Sequence, residues 1–125
     1  MKHVLVLEPD RLFASSLRRV FEKENLAVTL ATTTEEAMDA ADKRTPDVVI
    51  SEISLRGHSG SEFLYELKSY DDWQHIPLVI YSSIQVPETM QKSKDFALLE
   101  VAACLYKPHD SLQDLVSVVQ DLISK

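Results

Sequence analysis

The sequence predicts an α/β fold, a parallel and doubly wound sheet of five strands with helices on both faces. Three observations carry that prediction. Five short runs rich in β-branched residues and leucine recur along the chain, at 3–7, 27–31, 47–52, 78–81 and 102–106. A stretch read as a helix follows each of them, although the apolar spacing after the fourth is poor. Strands that alternate with helices in this way imply right-handed crossovers and a parallel sheet. The 125 residues suit one domain, 1–125, with a sizeable core, and are too few for two ordinary ones.

The first strand, His3 to Leu7, ends in Glu8-Pro9-Asp10. Proline is tolerated where a helix opens, and Asp10 suits the positive end of the helix dipole. Phe13, Leu17, Val20 and Phe21 then keep helical spacing until Asn25, a helix stop. Ala27 to Ala31 is the second strand. Thr33-Thr34-Glu35-Glu36 matches a capping box, with Thr33 and Glu36 each satisfying the other's amide, and the helix it opens ends near Arg44, before Pro46.

The third strand, Asp47 to Glu52, is apolar on both faces through Val48, Val49 and Ile50, so it reads as central. A loop from Ser54 to Gly60 holds both glycines, Gly57 and Gly60. Gly60-Ser61 opens a helix that carries Phe63, Leu64 and Leu67 and runs on through Trp73. Leu78 to Tyr81 is the fourth strand and ends in Ser82-Ser83. From Ile84 to Glu100 the apolar period is poor, and one helix with Pro87 as its first residue is expected. Ala102 to Tyr106 is the fifth strand. Asp110 or Ser111 caps a last helix with a clean apolar stripe through Leu112, Leu115, Val116, Val119, Leu122 and Ile123.

Composition narrows the function. A net charge of −7 repels nucleic acid and anionic lipid, so neither is an expected partner. No apolar run approaches the roughly 20 residues that span a bilayer, and Met1-Lys2-His3 has no signal-peptide pattern. The one cysteine, Cys104, rules out an internal disulfide and fits a reducing compartment, so a cytoplasmic location is expected. Neither G-x-G-x-x-G nor the P-loop pattern occurs. Two acids after the first strand repel the phosphate of a flavin cofactor, and Ser82 with His109 lacks the strained turn of a hydrolase nucleophile. No enzyme activity is expected. His58 and His109 could join the acids in a Zn²⁺ or Ni²⁺ site, but no fixed ligand spacing supports one, and they read as surface histidines.

In open α/β sheets chemistry collects beyond the carboxyl ends of the strands. Those ends carry Glu8 and Asp10, then Glu52, then Ser82, then Lys107-Pro108. With the stretches Pro46 to Glu52, His75 to Ser83 and Leu105 to Pro108, this order resembles the receiver domain of bacterial two-component response regulators (CheY-like) over the whole chain. The resemblance implies a flavodoxin-like (βα)5 three-layer sandwich with strand order 2-1-3-4-5. It also implies a phosphoacceptor aspartate after the third strand and a pair of acids that hold Mg²⁺ after the first. A hydroxyl and a lysine that engage the phosphoryl group would be Ser82 and Lys107, and the Lys107–Pro108 bond would be cis. Partners implied are a histidine kinase, an output domain or another signalling protein, docked on the face of the fourth helix, fifth strand and fifth helix, which is also a homodimer surface in such proteins.

Two departures decide the reading. Glu52 stands in place of the phosphoacceptor aspartate, and its extra methylene moves the carboxylate by roughly 1.5 Å. Pro9 stands where the second acid belongs and supplies no ligand, so the Glu8–Asp10–Glu52 pocket is expected to hold Mg²⁺ weakly or not at all. Cys104 also stands near where such domains carry an aromatic switch residue on the fifth strand. The expected function is a pseudo-receiver, a phosphorylation-independent protein–protein interaction module in which Glu52 reaches Lys107 directly. The alternatives are a weakly phosphorylatable receiver in a phosphorelay and a small-ligand or metal sensor using the same crevice.

Overall fold

The computed structural model describes residues 1–55, 58–59 and 61–124. Its main sheet has five parallel strands, β1 (His3–Leu7), β2 (Ala27–Ala31), β3 (Val48–Ser51), β6 (Leu78–Ser82) and β7 (Val101–Tyr106). Their order is β2-β1-β3-β6-β7, which is the 2-1-3-4-5 arrangement. A two-residue antiparallel ladder, β4 (Ser54–Leu55) with β5 (His58–Ser59), lies in the loop after β3. Gly57 and Gly60, expected to shape that loop, lie outside the described residues.

Alternation along each strand sends side chains to two cores. Leu5, Leu7, Val49, Leu78 and Ile80 pack on one face, under α2 (Thr34–Lys43), α3 (Ser61–Lys68) and α5 (Lys94–Leu99), while α4 (Glu88–Gln91) buries none of its residues. Val4, Val6, Val48, Ile50, Val79 and Tyr81 pack on the other, under α1 (Arg11–Glu22) and α6 (Leu112–Ile123). The central strands are thus buried on both sides, which is why they read as continuous apolar runs.

Helix ends follow the side-chain chemistry with some corrections. Asn25 sits at φ 61, the left-handed conformation that asparagine tolerates, and turns the chain from α1 into β2. Thr33 accepts from the Glu36 amide at 3.1 Å, but the Glu36 carboxylate returns to the Thr32 hydroxyl at 2.9 Å instead of to Thr33, so only half of the expected box forms. Ser111, not Asp110, caps α6, and with Asp114 it makes a full box.

Helix α3 stops at Lys68 instead of continuing through Trp73. The Lys68 ammonium donates to the Gln74 carbonyl at 2.6 Å, and Ser69 turns its hydroxyl back onto Glu66, so the chain folds over before β6. The segment before β7 is two short helices, not one. Pro87 precedes α4 as its N-cap, with ψ 144, and is not its first helical residue. Ser93 donates to the Met90 carbonyl and accepts from the Phe96 amide, ending one helix and capping the next. Glu100, at φ 51, closes α5 and delivers the chain into β7.

Candidate functional site

The carboxyl ends of β1, β3, β6 and β7 meet at one crevice. Parallel pairing fixes its walls: the Glu8 amide bonds to the Ala31 carbonyl, the Glu52 amide to Leu7 and the Lys107 amide to Ser82. Glu8 and Glu52 are each only 3% exposed. Two carboxylates so deeply placed need partners.

Glu52 finds six donors. Its Oε2 accepts from the Ile53 amide at 2.8 Å, the Ser54 amide at 3.0 Å and the Ser82 hydroxyl. Its Oε1 accepts from the Ser83 amide at 2.9 Å, the Ser83 hydroxyl at 3.0 Å and the Lys107 ammonium at 3.1 Å. A carboxylate offers about four lone-pair sites, so this one is fully engaged. Burial alone would push its pKa up, but bonds from Ser82, the Ser83 and Ser54 amides and Lys107 outweigh it and hold the carboxyl at about 2.

Lys107 joins the two acids. Its Nζ lies 2.5 Å from Glu8 Oε1 as well as 3.1 Å from Glu52 Oε1. It also sits 4.5 Å from the Phe13 ring centroid, a cation–π contact that shields it from water. Phe13 in turn lies against Tyr81, with ring centroids 5.8 Å apart. The Tyr81 hydroxyl donates to the Asp110 carbonyl at 2.8 Å, which ties the turn after β7 to β6.

Of the residues expected here, Glu8, Glu52, Ser82 and Lys107 come together. Asp10 does not join them. Its carboxylate caps α1, accepting from Leu12 and Phe13, while its amide donates to Glu8 Oε2 at 3.0 Å. The Lys107–Pro108 bond is trans, against the cis bond the resemblance implies. The ordinary trans preference of about 0.5–1 kcal/mol prevails, and the turn closes with the His109 and Asp110 amides both donating to the Tyr106 carbonyl. His109 is solvent-exposed beside Asp110, and the side chain of His58 lies outside the described residues.

Sequence reasoning missed Ser83 and Phe13. Ser83 supplies two of the six donors, and the doubled hydroxyl Ser82-Ser83 at a strand end was its signal. Phe13 packs against the core, as its spacing predicts, and its ring also reaches the Lys107 ammonium. On strand β7, Cys104 is half-buried, and burial pushes its thiol pKa up, as befits an inert residue. A cleft of about 400 Å³ stands beside it, lined by Cys104, Tyr106, Val86 and Gln85.

The residues present do not fit a magnesium ion. Such an ion needs near-octahedral oxygen ligands at about 2.0–2.1 Å. Glu52 has no free lone pair to give, Asp10 Oδ1 is taken by the two cap amides of α1, and Pro9 has no side-chain ligand. An ammonium already bridges Glu8 and Glu52. Among the described residues no three His, Cys, Asp or Glu side chains converge as a metal site requires.

A doubly wound sheet of this order, with an acid, a hydroxyl and a lysine at the ends of its central strands, defines a receiver. The chain belongs to the family of response regulator receiver domains, whose model matches residues 4–120. Sporulation initiation phosphotransferase F of Bacillus subtilis (strain 168) is 25% identical over 122 residues, covering 98% of this chain and 90% of that protein. The KDP operon transcriptional regulatory protein KdpE of Escherichia coli (strain K12) is 28% identical over 83 residues, which are 66% of this chain but only 36% of that protein. The structure of chemotaxis response regulator CheY4 of Vibrio cholerae superposes with a TM-score of 0.84 at 20% identity, over 98% of both chains, and shares the fold. Receiver domains are signalling modules of two-component systems that interact with kinases and output domains. No enzymatic family is indicated, and among the described residues no helix is long and apolar enough to cross a membrane.

Proposed function

We propose that this receiver domain works as a pseudo-receiver, a protein–protein interaction module whose state does not depend on phosphorylation. The observation that carries this reading is the saturated Glu52 carboxylate. It draws in Ser82 and Lys107, the two groups that in the family engage a phosphoryl group, and adds Ser83. Ser82 is held toward Glu52 and also accepts from the Ile84 amide at 3.0 Å, so the loop after β6 is pinned to the acid with no phosphate involved. Position 104 on β7 carries a cysteine where the resemblance implies an aromatic, and the ring on that strand is Tyr106, in register with Ser82. The crevice is therefore set in one state, resembling the engaged one.

The partner is a kinase, an output domain or another signalling protein, and it docks on the face formed by α4, α5, β7 and α6. Exposed Ile84, Met90 and Leu98 on that side supply the apolar contact area. Nucleic acid and anionic membrane are disfavoured by the net charge of −7.

Incubation with acetyl phosphate and Mg²⁺, followed by intact-mass measurement, tests the reading. The expected spectrum is unchanged. A hydroxylamine-labile phosphoryl adduct on a substantial fraction of the protein contradicts it and favours a working receiver.

A further inference from the structure

We propose that the cavity between α3 and the α4–α5 pair is a binding site for a small molecule with an apolar, aromatic body and a cationic end. The site is separate from the carboxylate crevice and stands whether or not Glu52 is ever phosphorylated.

The break in the chain before β7 makes the cavity. Ser93 ends one short helix and caps the next, so α4 has four residues and buries none of them. A continuous amphipathic helix would lay an apolar stripe into this place. The short segment instead borders it with Pro87, Thr89 and Met90 and leaves a volume of about 500 Å³ unfilled. Its floor belongs to the core: Leu64, Ile80 and Leu99 line it and are each at most 2% exposed. A pit of this size, within the roughly 300–1,000 Å³ of ligand pockets, buries most of a small molecule. A flat protein surface would cover its mouth and leave the floor empty.

Charge selects the class of molecule. Among the described residues Asp95 is the one charged side chain lining the cavity, and it makes no ion pair there. Lys92, on the same segment, is engaged by Glu88 at 2.8 Å. The whole chain carries a net charge of −7, so an anion is repelled and a cation drawn in. Tyr65 and Phe96 add aromatic rings to the lining, and these also attract a cation. Ile53 links the cavity to the crevice, because it lines the one and donates its amide to Glu52 Oε2 at 2.8 Å in the other. A molecule bound here therefore contacts a residue that holds Glu52.

The test is an NMR titration of the full chain with three probes of one shape: naphthylmethylamine, which is cationic at neutral pH, naphthylmethanol and naphthoate. The amine is expected to give intermolecular NOEs to the methyl groups of Ile53, Leu64, Ile80 and Leu99. It should bind about fivefold more tightly than the alcohol, the scale of one exposed ion pair. Naphthoate should bind most weakly. In Asp95→Asn the amine should lose its advantage while the alcohol binds as before. Asp95 is exposed in the first turn of α5, so the variant is expected to fold, and the wild-type NOEs fix the location without it. Absence of NOEs to those methyl groups overturns the proposal, as does equal affinity for the three probes or an amine preference that survives in Asp95→Asn. Shifts at the same methyl groups that follow protein concentration instead of probe would give the cavity to a second copy of this chain and contradict it too. None of these outcomes bears on acetyl phosphate labelling, which decides the pseudo-receiver reading by itself.

Discussion

Replacing Lys107 with methionine is expected to lower the stability of the fold by about 3–5 kcal/mol at neutral pH, the cost of leaving a buried ion pair without one partner. Methionine keeps much of the lysine stem and its packing against Phe13, so the loss is electrostatic. Glu8 and Glu52 remain in place, almost fully buried, with no positive charge between them. Urea unfolding in the presence of EDTA, which removes adventitious metal, measures the effect as a lowered midpoint at unchanged slope. Adding Glu8→Gln to Lys107→Met should recover part of the loss, because one of the stranded charges goes with it. A loss below about 1 kcal/mol would place the triad among solvent-screened surface pairs and contradict the buried arrangement.

The second large effect concerns chemistry the crevice lacks. Glu52→Asp alone is expected to leave Mg²⁺-dependent labelling by acetyl phosphate near background. Shortening the acid frees it from Lys107 and Ser82 and restores the reach of a phosphoacceptor, but Pro9 still offers no ligand. Glu52→Asp with Pro9→Asp adds the missing acid, and labelling should rise by about 10²-fold, the scale on which misplacement of about 1 Å controls a rate. Intact mass after a fixed incubation compares the two. Equal labelling of the single and double variants would show that Pro9 has no part in the loss of function.

The fold was legible because the strand runs are unambiguous. Val48-Val49-Ile50 and Leu78-Val79-Ile80 are apolar on both faces, so they had to be central, and the helices between them had to cover both sides. Helix limits were less legible. The end of α3 depends on the Lys68 ammonium reaching the Gln74 carbonyl, and the break between α4 and α5 on the Ser93 hydroxyl serving two neighbours. Such local competition for backbone groups leaves little trace in apolar spacing.

At the crevice, Glu52, Ser82 and Lys107 were readable from their places at strand ends. The role of Asp10 was not. Its spacing made it a candidate for the acidic pocket, yet the same residue is a strong helix N-cap, and two orphan amides of α1 claimed its carboxylate. Pro108 likewise followed the general trans preference and not the family resemblance. Which of two good uses a side chain serves is decided by tertiary placement, beyond what residue type reveals.

Glu52 is an ionised, saturated carboxylate held by Ser82, Ser83 and Lys107. Its folded pKa is depressed from 4.5 to about 2, so it stabilises the fold above pH 4.5 and loses that contribution as the pH falls toward 2. At ~1.4 kcal/mol per unit, the contribution is about 3 kcal/mol. Titration of the Glu52 side-chain carboxyl carbon by NMR tests this most directly. The carbon is expected to keep its ionised shift down to about pH 2, or until acid unfolds the protein. An inflection near pH 4.5 in the folded protein would mean a carboxylate without these partners, and would contradict the account.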